Sequence, residues 1–525
     1  MSTNISQNLD RAISDLPMRF PGPGGGVAVV KDGVPIVRHA WGFANLEQRV
    51  PYTVGTLAPI CSITKQFTCA TLLNICPDPT ELDSTIAAQL PQLTFTKPTT
   101  LNLANNQSGL RDYWALTVLC GAMPEGEFRP ADAAKLVGLT RSLHFEPGSA
   151  YSYSNGNFRM LATAIEQKAK RPFGELLIER ITKPAGMESA VFAAETADLP
   201  GDAVGYEGTL QTGWRPGISR IHWTGDAGIC ASIDDMIAWE RFIDRTRDDS
   251  DGIYSRLAKP VTFNNGSGAA YGLGLARKTR WGRAMTGHGG AIRGWRLQRF
   301  WVPSERLSVV VAFNHESDSQ AAAMYLLAAA LGESDVTAPS DGTAGAGFAG
   351  TWLDSDTGLL LDVTLNSDGT LVGSYDGGGE TLSVGADGVA RGLNMTLKRE
   401  DGAIRIDRPG DAIHTLATPV ASAPSDGIAG IYHAAELGSD LEIVKTGGSW
   451  FAGFNGFLGK GPMMPLLPVG LDLWRLVCNR SLDAPSPGDW TVRIRQTTNG
   501  KIEKLSIGCW LARNVNFERS GPSMS

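Results

Sequence analysis

Ser62-Ile63-Thr64-Lys65 is the stretch that decides how this chain is interpreted, because it sets a hydroxyl and an amine three residues apart. Side chains at that spacing meet on one face of a helix. The apolar residues Ile60 and Phe67 predict a buried helix that begins here, with Ser62 in its first turn. If burial lowers the pKa of Lys65 from about 10.4 toward about 7–8, the amine can take the hydroxyl proton. Such a pair also arises by chance in a long chain, so other motifs must support it.

The bulk composition is that of a folded protein with several domains. A chain of 525 residues is too long for one hydrophobic core, and its length predicts about three domains. Hydrophobic residues make up 42% and charged residues 19%, which excludes a disordered chain. The net charge of −7, without a dense basic stripe, argues against a nucleic-acid partner. The 62 glycines predict many tight turns and much β-structure.

The sequence predicts a cytoplasmic protein that makes no contact with a membrane. Residues Met1–Asp10 lack the basic start and apolar run of a signal peptide. The longest apolar stretches, Leu307–Phe313 and Ala321–Leu331, are too short to span a bilayer. The seven cysteines show no metal-type pairing, which favours buried thiols in a reducing compartment.

Residues 1–333 mix helix and strand signals. A hairpin is predicted over Val27–Ala40, around the turn residues Asp32-Gly33. Two further strands, Trp295–Val302 and Leu307–Asn314, close the region, and helical patterns lie between these two ends. The predicted fold is therefore an antiparallel sheet, completed by the return of the chain and flanked by helices.

The remaining chain predicts β-structure almost throughout. Residues 334–346 have the composition of a linker, and short alternating stretches separated by turn residues follow them. The phrases Gly347–Trp352 and Gly427–Tyr432 repeat one pattern of glycines and a final aromatic residue. Two related antiparallel β-barrel domains are predicted, at 334–417 and 418–525.

Two more motifs follow the Ser–Lys pair in the chain. Tyr153-Ser154-Asn155 is its one Tyr-x-Asn sequence, and His288-Gly289-Gly290 its one His-x-Gly sequence. In this order the three motifs resemble the penicillin-recognising serine hydrolases, of the class C β-lactamase and D-alanyl-D-alanine carboxypeptidase type. The phrases Ser108–Tyr113, Asp226–Met236 and Tyr271–Leu275 add to the likeness, which covers roughly residues 8–330. It implies a β-lactamase/transpeptidase-like α/β (α+β) catalytic domain.

The resemblance implies a role for each motif residue. Ser62 would be the nucleophile and Lys65 the base that activates it. Tyr153 would relay a proton to the leaving group, and Asn155 would hold the substrate amide. The chemistry is coherent, because a hydroxyl is a weak nucleophile until a neighbouring base takes its proton.

The third motif departs from the pattern of many relatives. His288 stands where they carry the lysine of Lys-Thr-Gly, and the oxyanion hole would be the backbone N–H groups of Ser62 and Ala291. The sequence Lys445-Thr446-Gly447 matches that motif literally, but it lies in the β-rich tail. There Thr-Gly-Gly is typical of a hairpin turn, so Lys445 is interpreted as a turn residue.

The histidine also bears on the substrate. A histidine is largely neutral near pH 7, so His288 would be a weaker partner than lysine for a C-terminal carboxylate. This disfavours a carboxypeptidase. A cytoplasmic hydrolase with two extra β-domains resembles the D-aminopeptidase branch, which acts on peptides with N-terminal D-alanine or glycine. D-Serine is a further candidate.

An aminopeptidase must bind a protonated amine, and an anionic side chain is the usual partner. The segment Cys478–Asp489 is long for a hairpin connection and rich in turn formers. Our hypothesis is that it reaches the active site and that Asp483 binds the ammonium group. The alternative is an ordinary solvated loop. Asp112 is interpreted as a capping or loop residue.

Three classes of function stay open. The favoured one is a D-stereospecific serine aminopeptidase acting on small peptides, amides or esters. The second is an esterase, carboxypeptidase or β-lactamase of the same fold, and the third a β-lactam-binding protein without turnover. Inhibition by β-lactams is compatible with each. The histidines lack metal-ligand spacing, so no metal or cofactor is expected, and a homodimer is expected from the prevalence of symmetric dimers.

Overall fold

The computed structural model describes residues 3–334, 345–375, 378–421, 427–496 and 502–522. The helices run as follows: α1 Thr3–Arg19, α2 Thr64–Ile75, α3 Asp83–Ala88, α4 Thr100–Ala104, α5 Tyr113–Leu119, α6 Pro130–Gly138, α7 Asn155–Ala169, α8 Phe173–Leu177, α9 Ile233–Thr246, α10 Ile253–Ala258 and α11 Ser319–Leu331. Shorter turns are Cys61–Ile63, Pro79–Leu82, Pro303–Glu305, Ala346–Phe348 and Pro409–Asp411, which are 3₁₀, and Ile178–Thr182, a π turn.

The strands before α11 run as follows: β1 Gly24–Lys31, β2 Val34–Asn45, β3 Val50–Pro51, β4 Ala58–Pro59, β5 Glu127–Phe128, β6 Val191–Phe192, β7 Tyr206–Thr209, β8 Gly213–Pro216, β9 Arg220–Ile221, β10 Ile229–Ala231, β11 Val261–Thr262, β12 Gly268–Ala269, β13 Tyr271–Gly272, β14 Leu275–Arg280, β15 Arg283–Ile292, β16 Trp295–Val302 and β17 Leu307–Phe313. Eight of them form one antiparallel sheet in the order β13-β14-β15-β16-β17-β1-β2-β3. Since β1 pairs with β17, the two ends of this region meet at the centre of the sheet.

Both faces of this sheet are covered because its central strands are apolar on both sides. Val27 and Val29 face the layer formed by α1 and α11, where they share a core with Leu326. Ala28 belongs to the core of the opposite face, together with Phe67 of α2. The turn Cys61–Ile63, which leads into α2, contacts β15 and β16 on this second face.

The first β-rich unit is a closed antiparallel barrel. Its strands are β18 Gly350–Asp354, β19 Leu360–Leu365, β20 Leu371–Tyr375, β21 Gly378–Val384, β22 Val389–Arg391, β23 Thr396–Glu400, β24 Ala403–Arg408 and β25 Ile413–Pro419. Each strand pairs with the next, and β18 pairs with β25 to close the ring.

The second β-rich unit closes in a similar way. Its strands are β26 Gly430–Ala434, β27 Ser439–Thr446, β28 Ser449–Gly456, β29 Gly459–Lys460, β30 Met464–Gly470, β31 Leu473–Leu476, β32 Trp490–Gln496, β33 Ile502–Cys509 and β34 Ala512–Gly521. The order is β27-β26-β34-β33-β32-β31-β30-β28-β29, and β27 also pairs with β28. The predicted fold, a sheet flanked by helices and two antiparallel barrels, is confirmed.

The two barrels open with the same local structure. In the first, the Trp352 Nε1 donates to the carbonyl of Phe348 at 2.9 Å. In the second, the Tyr432 hydroxyl donates to the carbonyl of Ile428 at 2.8 Å. Both aromatic side chains are buried, and each bonds the carbonyl four residues before it. The repeated sequence pattern therefore forms the same local structure in both barrels.

The predicted domain boundaries stay predictions. Strand β25 ends at Pro419, past the boundary drawn after residue 417. Most of the predicted linker, residues 335–344, lies outside the described residues. All seven cysteines are buried. Across the described ranges, no helix has the length and apolar character needed to cross a membrane.

Candidate active site

The backbone around Ser62 is strained. Ser62 lies in the 3₁₀ turn Cys61–Ile63, which continues into α2 at Thr64, rather than within the α-helix itself. The preceding residue, Cys61, has a φ of +52° and a fully buried side chain. For a residue with a Cβ this left-handed conformation costs about 1–3 kcal/mol, and it persists only where packing enforces it. Such strain is typical of functional turns.

Lys65 is completely buried and makes three short contacts. Its Nζ lies 2.9 Å from the Ser62 Oγ, 2.7 Å from the Asn155 Oδ1 and 2.8 Å from the Asp226 carbonyl oxygen. Burial lowers the pKa of Lys65 to about 8, although the nearby Asp226 and Asp112 oppose the effect. The last two contact atoms can only accept, so they take both hydrogens of a neutral amine. Its lone pair is then left for the Ser62 hydroxyl.

Asp112 fixes the amide of Asn155. Its Oδ2 accepts from the Asn155 Nδ2 at 3.0 Å, and its Oδ1 accepts from the Asn155 backbone N–H at 2.9 Å. Burial raises the pKa of Asp112 to about 6. Asp112 lies at the N-cap position of α5, in line with its interpretation as a capping or loop residue, and its carboxylate is in addition bonded to Asn155. Asn155 in turn orients Lys65. Its amide would therefore have to bind the substrate while it keeps its bonds to Lys65 and Asp112.

Tyr153 lies close to the Lys65 amine. The Lys65 Nζ is 4.9 Å from the centre of its ring. Burial raises the pKa of Tyr153 well above its ordinary value, against the effect of a hydrogen bond with Ser62. The phenol therefore keeps its proton at neutral pH and is able to donate it.

His288 borders the same space but is not bonded to Ser62. Its ring centre is 6.2 Å from that of Tyr153. Because the Gly289 carbonyl can only accept, the Nδ1 of His288 donates to it, and the Nε2 then accepts from the Tyr271 hydroxyl at 3.0 Å. Burial and the charge of Lys65 lower the pKa of His288 to about 3. The imidazole is neutral and carries no charge for a carboxylate.

Ala291 lies on β15, which runs directly beside the turn Cys61–Ile63. A Cβ at Gly290 would come within 2.5 Å of the Ile60 carbonyl oxygen, so this strand can approach only because position 290 is glycine. Ala291 and Ser62 line one cavity of about 610 Å³. A larger groove of about 1040 Å³ lies elsewhere, around Met160 and Phe173.

Asp483 lines the same cavity as Ser62. It is 9% exposed, and its Oδ1 is buried without a hydrogen-bond partner among the described residues. Burial raises the pKa of Asp483 to about 7, while the Ala484 amide and the charges of Arg293 and Arg296 oppose that rise. A buried, incompletely bonded carboxylate is costly, which favours a cationic ligand as its partner.

Two further contacts come from the barrels, and no sequence motif predicts them. Leu511, in the turn between β33 and β34, lines the cavity, and its carbonyl accepts from the Asp112 N–H at 2.8 Å. In the first barrel the Asp411 carbonyl accepts from the Tyr151 N–H at 3.1 Å. No motif marks a two-residue turn as an active-site element, so only the fold reveals these contacts.

Lys445 does not line this cavity. It is an exposed residue near the end of β27, followed by Gly447 and Gly448 with positive φ in the turn to β28. Its Nζ lies 5.0 Å from the centre of the Trp450 ring.

Comparison with known proteins agrees with the site. The D-aminopeptidase of Brucella canis is 46% identical over 511 residues, which cover 97% of this chain and 98% of that protein. The chain belongs to the D-aminopeptidase family. The D-aminopeptidase of Brucella anthropi is also 46% identical, over 99% of this chain and 100% of its own length.

Models of two families match separate parts of the chain. The β-lactamase model matches residues 9–333, and the model described as D-aminopeptidase, domain B, matches residues 342–518. Among solved structures, the octameric penicillin-binding protein homologue from Pyrococcus abyssi aligns with a TM-score of 0.56 at 20% identity, over 80% of this chain and 100% of its own. That likeness shows a shared fold. The resemblance inferred from the three motifs is confirmed.

Proposed function

We propose that this protein is a serine hydrolase that releases N-terminal D-amino acids from small peptides, amides and esters through an acyl-enzyme on Ser62. D-Alanine is the expected residue, with glycine and D-serine as further candidates. The observation that carries the proposal is the carboxylate of Asp483, which lines the same cavity as Ser62. The relatives named D-aminopeptidase support it over almost the whole chain.

In acylation the lone pair of Lys65 takes the proton of Ser62, and the Oγ attacks the substrate carbonyl carbon. The charge that develops on the carbonyl oxygen is stabilised by the backbone N–H groups of Ser62 and Ala291. Tyr153 gives its proton to the leaving nitrogen and recovers one from Lys65. The C–N bond then breaks, and an ester links the D-amino acid to Ser62.

Deacylation reverses the proton transfers. Water attacks the ester carbonyl, and its proton passes to the base formed by Lys65 and Tyr153. The Ser62 oxygen leaves with a proton, and the free D-amino acid is released. Asp112 and Asn155 keep the Lys65 amine in place through both halves of the cycle.

Recognition of the free amine is assigned to Asp483. An α-amino group has a pKa of about 7.7–8.0, and the pKa of Asp483 is about 7, so both are largely charged near pH 7.5. Neutral His288 offers no cation, which disfavours a carboxylate next to the scissile bond. We further propose a cytoplasmic location, because all seven cysteines are buried as thiols. We also propose that the protein forms a homodimer. β-Lactams are expected to inhibit it, because they present a strained amide to the same nucleophile.

The test is a panel of five substrates: D-alanine p-nitroanilide, its L-isomer, its N-acetyl derivative, p-nitrophenyl acetate and a chromogenic cephalosporin. We expect efficient turnover of the first and loss of all activity in Ser62→Ala. Efficient hydrolysis of the N-acetyl compound or of the cephalosporin would contradict the proposal. Acylation by the cephalosporin in the absence of any anilide turnover would point to a β-lactam-binding protein instead.

A further inference from the structure

The turn between β15 and β16 carries a buried cation. Arg293 and Gly294 form this two-residue turn, where Gly294 has a φ of +80°. The Arg293 side chain is only 1% exposed, although a hairpin turn is normally a solvated place. A buried arginine is tolerated only when acceptors surround its guanidinium group.

The acceptors of Arg293 come from two separate segments. Its Nη1 lies 2.6 Å from the Glu207 Oε1, in β7. Its Nη2 donates to the carbonyls of Ser481 at 2.7 Å and Leu482 at 3.2 Å. One fork of planar donors thus holds the backbone of the two residues that precede Asp483, and charge-assisted bonds of this kind are stronger than neutral ones.

Glu207 also holds the beginning of the same segment. Its Oε2 accepts from the Arg480 Nη2 at 3.1 Å, and Arg480 pairs with Glu125 as well. Residues 478–489 contain no helix or strand, so no strand pairing fixes them. The Arg293–Glu207–Arg480 cluster therefore links this segment by charged contacts to the β15–β16 turn and to β7.

We propose that Arg293 is a positioning residue that sets substrate specificity, by fixing Asp483 at the distance where it can bind the substrate ammonium. This inference rests on the proposed function and deepens it. Arg293 follows Ala291 by two residues, so one hairpin holds both the oxyanion-binding strand and the amine-recognition segment. The hairpin β15–β16 then sets the distance between the group that polarises the substrate carbonyl and the group that binds the substrate amine.

The test is Arg293→Met, which keeps an apolar stem but removes the fork. We expect KM for D-alanine p-nitroanilide to rise about tenfold or more, with kcat changed by less than about threefold, since the lost bonds position a binding group. Activity on p-nitrophenyl acetate, which has no amine, should be unchanged. Arg293→Lys should be intermediate, because an ammonium cannot reproduce the planar fork.

A matched control lies on the same hairpin. Arg283, at the far end of β15, pairs with Glu305 at 2.7 Å and Glu333 at 2.9 Å. Arg283→Met should leave the ratio of anilide to acetate activity unchanged. If Arg293→Met leaves the ratio of anilide to acetate activity at its wild-type value, whether or not both activities fall, the positioning role is wrong.

Two milder variants decide the matter if Arg293→Met does not fold. Arg480 is 37% exposed and Glu207 13% exposed, so Arg480→Met and Glu207→Gln disturb the core less. Both should lower the anilide-to-acetate ratio, and unchanged ratios in both would overturn the inference.

The wild type distinguishes failure of the proposed function from failure of this inference. A wild type that cleaves N-acetyl-D-alanine p-nitroanilide equally well refutes the proposed function, whereas a selective wild type with selective variants refutes this inference alone.

Discussion

Replacing Asp483 by asparagine removes a charge from the cavity while it keeps the shape of the side chain. The carboxylate is buried and its Oδ1 has no hydrogen-bond partner among the described residues, so the substrate ammonium would be a direct partner in addition to the charges of Arg293 and Arg296. Removing one partner of a buried charge pair costs about 2–5 kcal/mol, which corresponds to at least about a 30-fold loss of kcat/KM. Asp483→Asn should therefore lose that factor on D-alanine p-nitroanilide and little on p-nitrophenyl acetate.

The same substitution should stabilise the folded protein. Burial raises the pKa of Asp483 from 3.8 to about 7, so above pH 7 the folded state holds a carboxylate that the unfolded chain solvates better. The difference corresponds to at most about 4 kcal/mol. This penalty is absent below about pH 3.8, grows as the pH rises and is complete above pH 7. Asp483→Asn should thus raise the free energy of unfolding at pH 8 and leave it unchanged at pH 3.5.

The assays are steady-state kinetics on the two substrates and urea unfolding at the two pH values. Asp318 provides a matched control, because it lines the same cavity and caps α11 through a bond to the Ala321 N–H at 2.9 Å. Asp318→Asn removes the same charge, and asparagine also caps helices well. If Asp483→Asn keeps full anilide activity, or if Asp318→Asn loses as much, the assignment of the amine site is refuted.

Three further outcomes are expected. The rate constant kcat should rise with pH through a midpoint near pH 8 and level off above about pH 9, since the pKa of Lys65 is lowered to about 8 and its neutral form would be the base; a rate still climbing at pH 10 would mean an ordinary lysine. Asp112→Ala should lower kcat at least about tenfold with little change in KM, because the Asn155 amide then loses its acceptor, and stopped-flow acylation measures this; unchanged acylation would remove Asp112 from the site. Gly290→Ala should lower kcat on every substrate alike, since its Cβ would lie 2.5 Å from the Ile60 carbonyl oxygen, and equal kinetics in the variant would show that the strand can shift freely.

The local parts of the fold and site could be predicted from the sequence. The Ser62–Lys65 contact follows from helix geometry over three residues, and the pairing of β1 with β2 follows from the Asp32-Gly33 turn that joins them. The order of the motifs then identified Tyr153 and His288 as their neighbours. These signals are short in sequence or depend on a motif shared with relatives, so one chain suffices to find them.

The remaining features depend on contacts between distant segments. Asp112 sits at a helix N-cap, as its sequence context suggested, but its carboxylate bonds a residue 43 positions later. Cys61 adopts a conformation favoured by glycine, so nothing in the sequence marks its strain. Leu511 enters the cavity only because the second barrel docks beside α5. Alternation predicts strands, but ring closure and docking are set by packing that no local pattern encodes.

The most direct test of the central claim is to identify the acyl-enzyme. The enzyme is mixed with D-alanine methyl ester, quenched in acid at short times, digested and mapped by mass spectrometry, with the L-ester and Ser62→Ala in parallel. We predict one D-alanyl group on the peptide that contains Ser62, little label from the L-ester and none in the variant. A D-alanyl group on another residue, or equal labelling by the two esters, would contradict a D-stereospecific hydrolase that acts through Ser62.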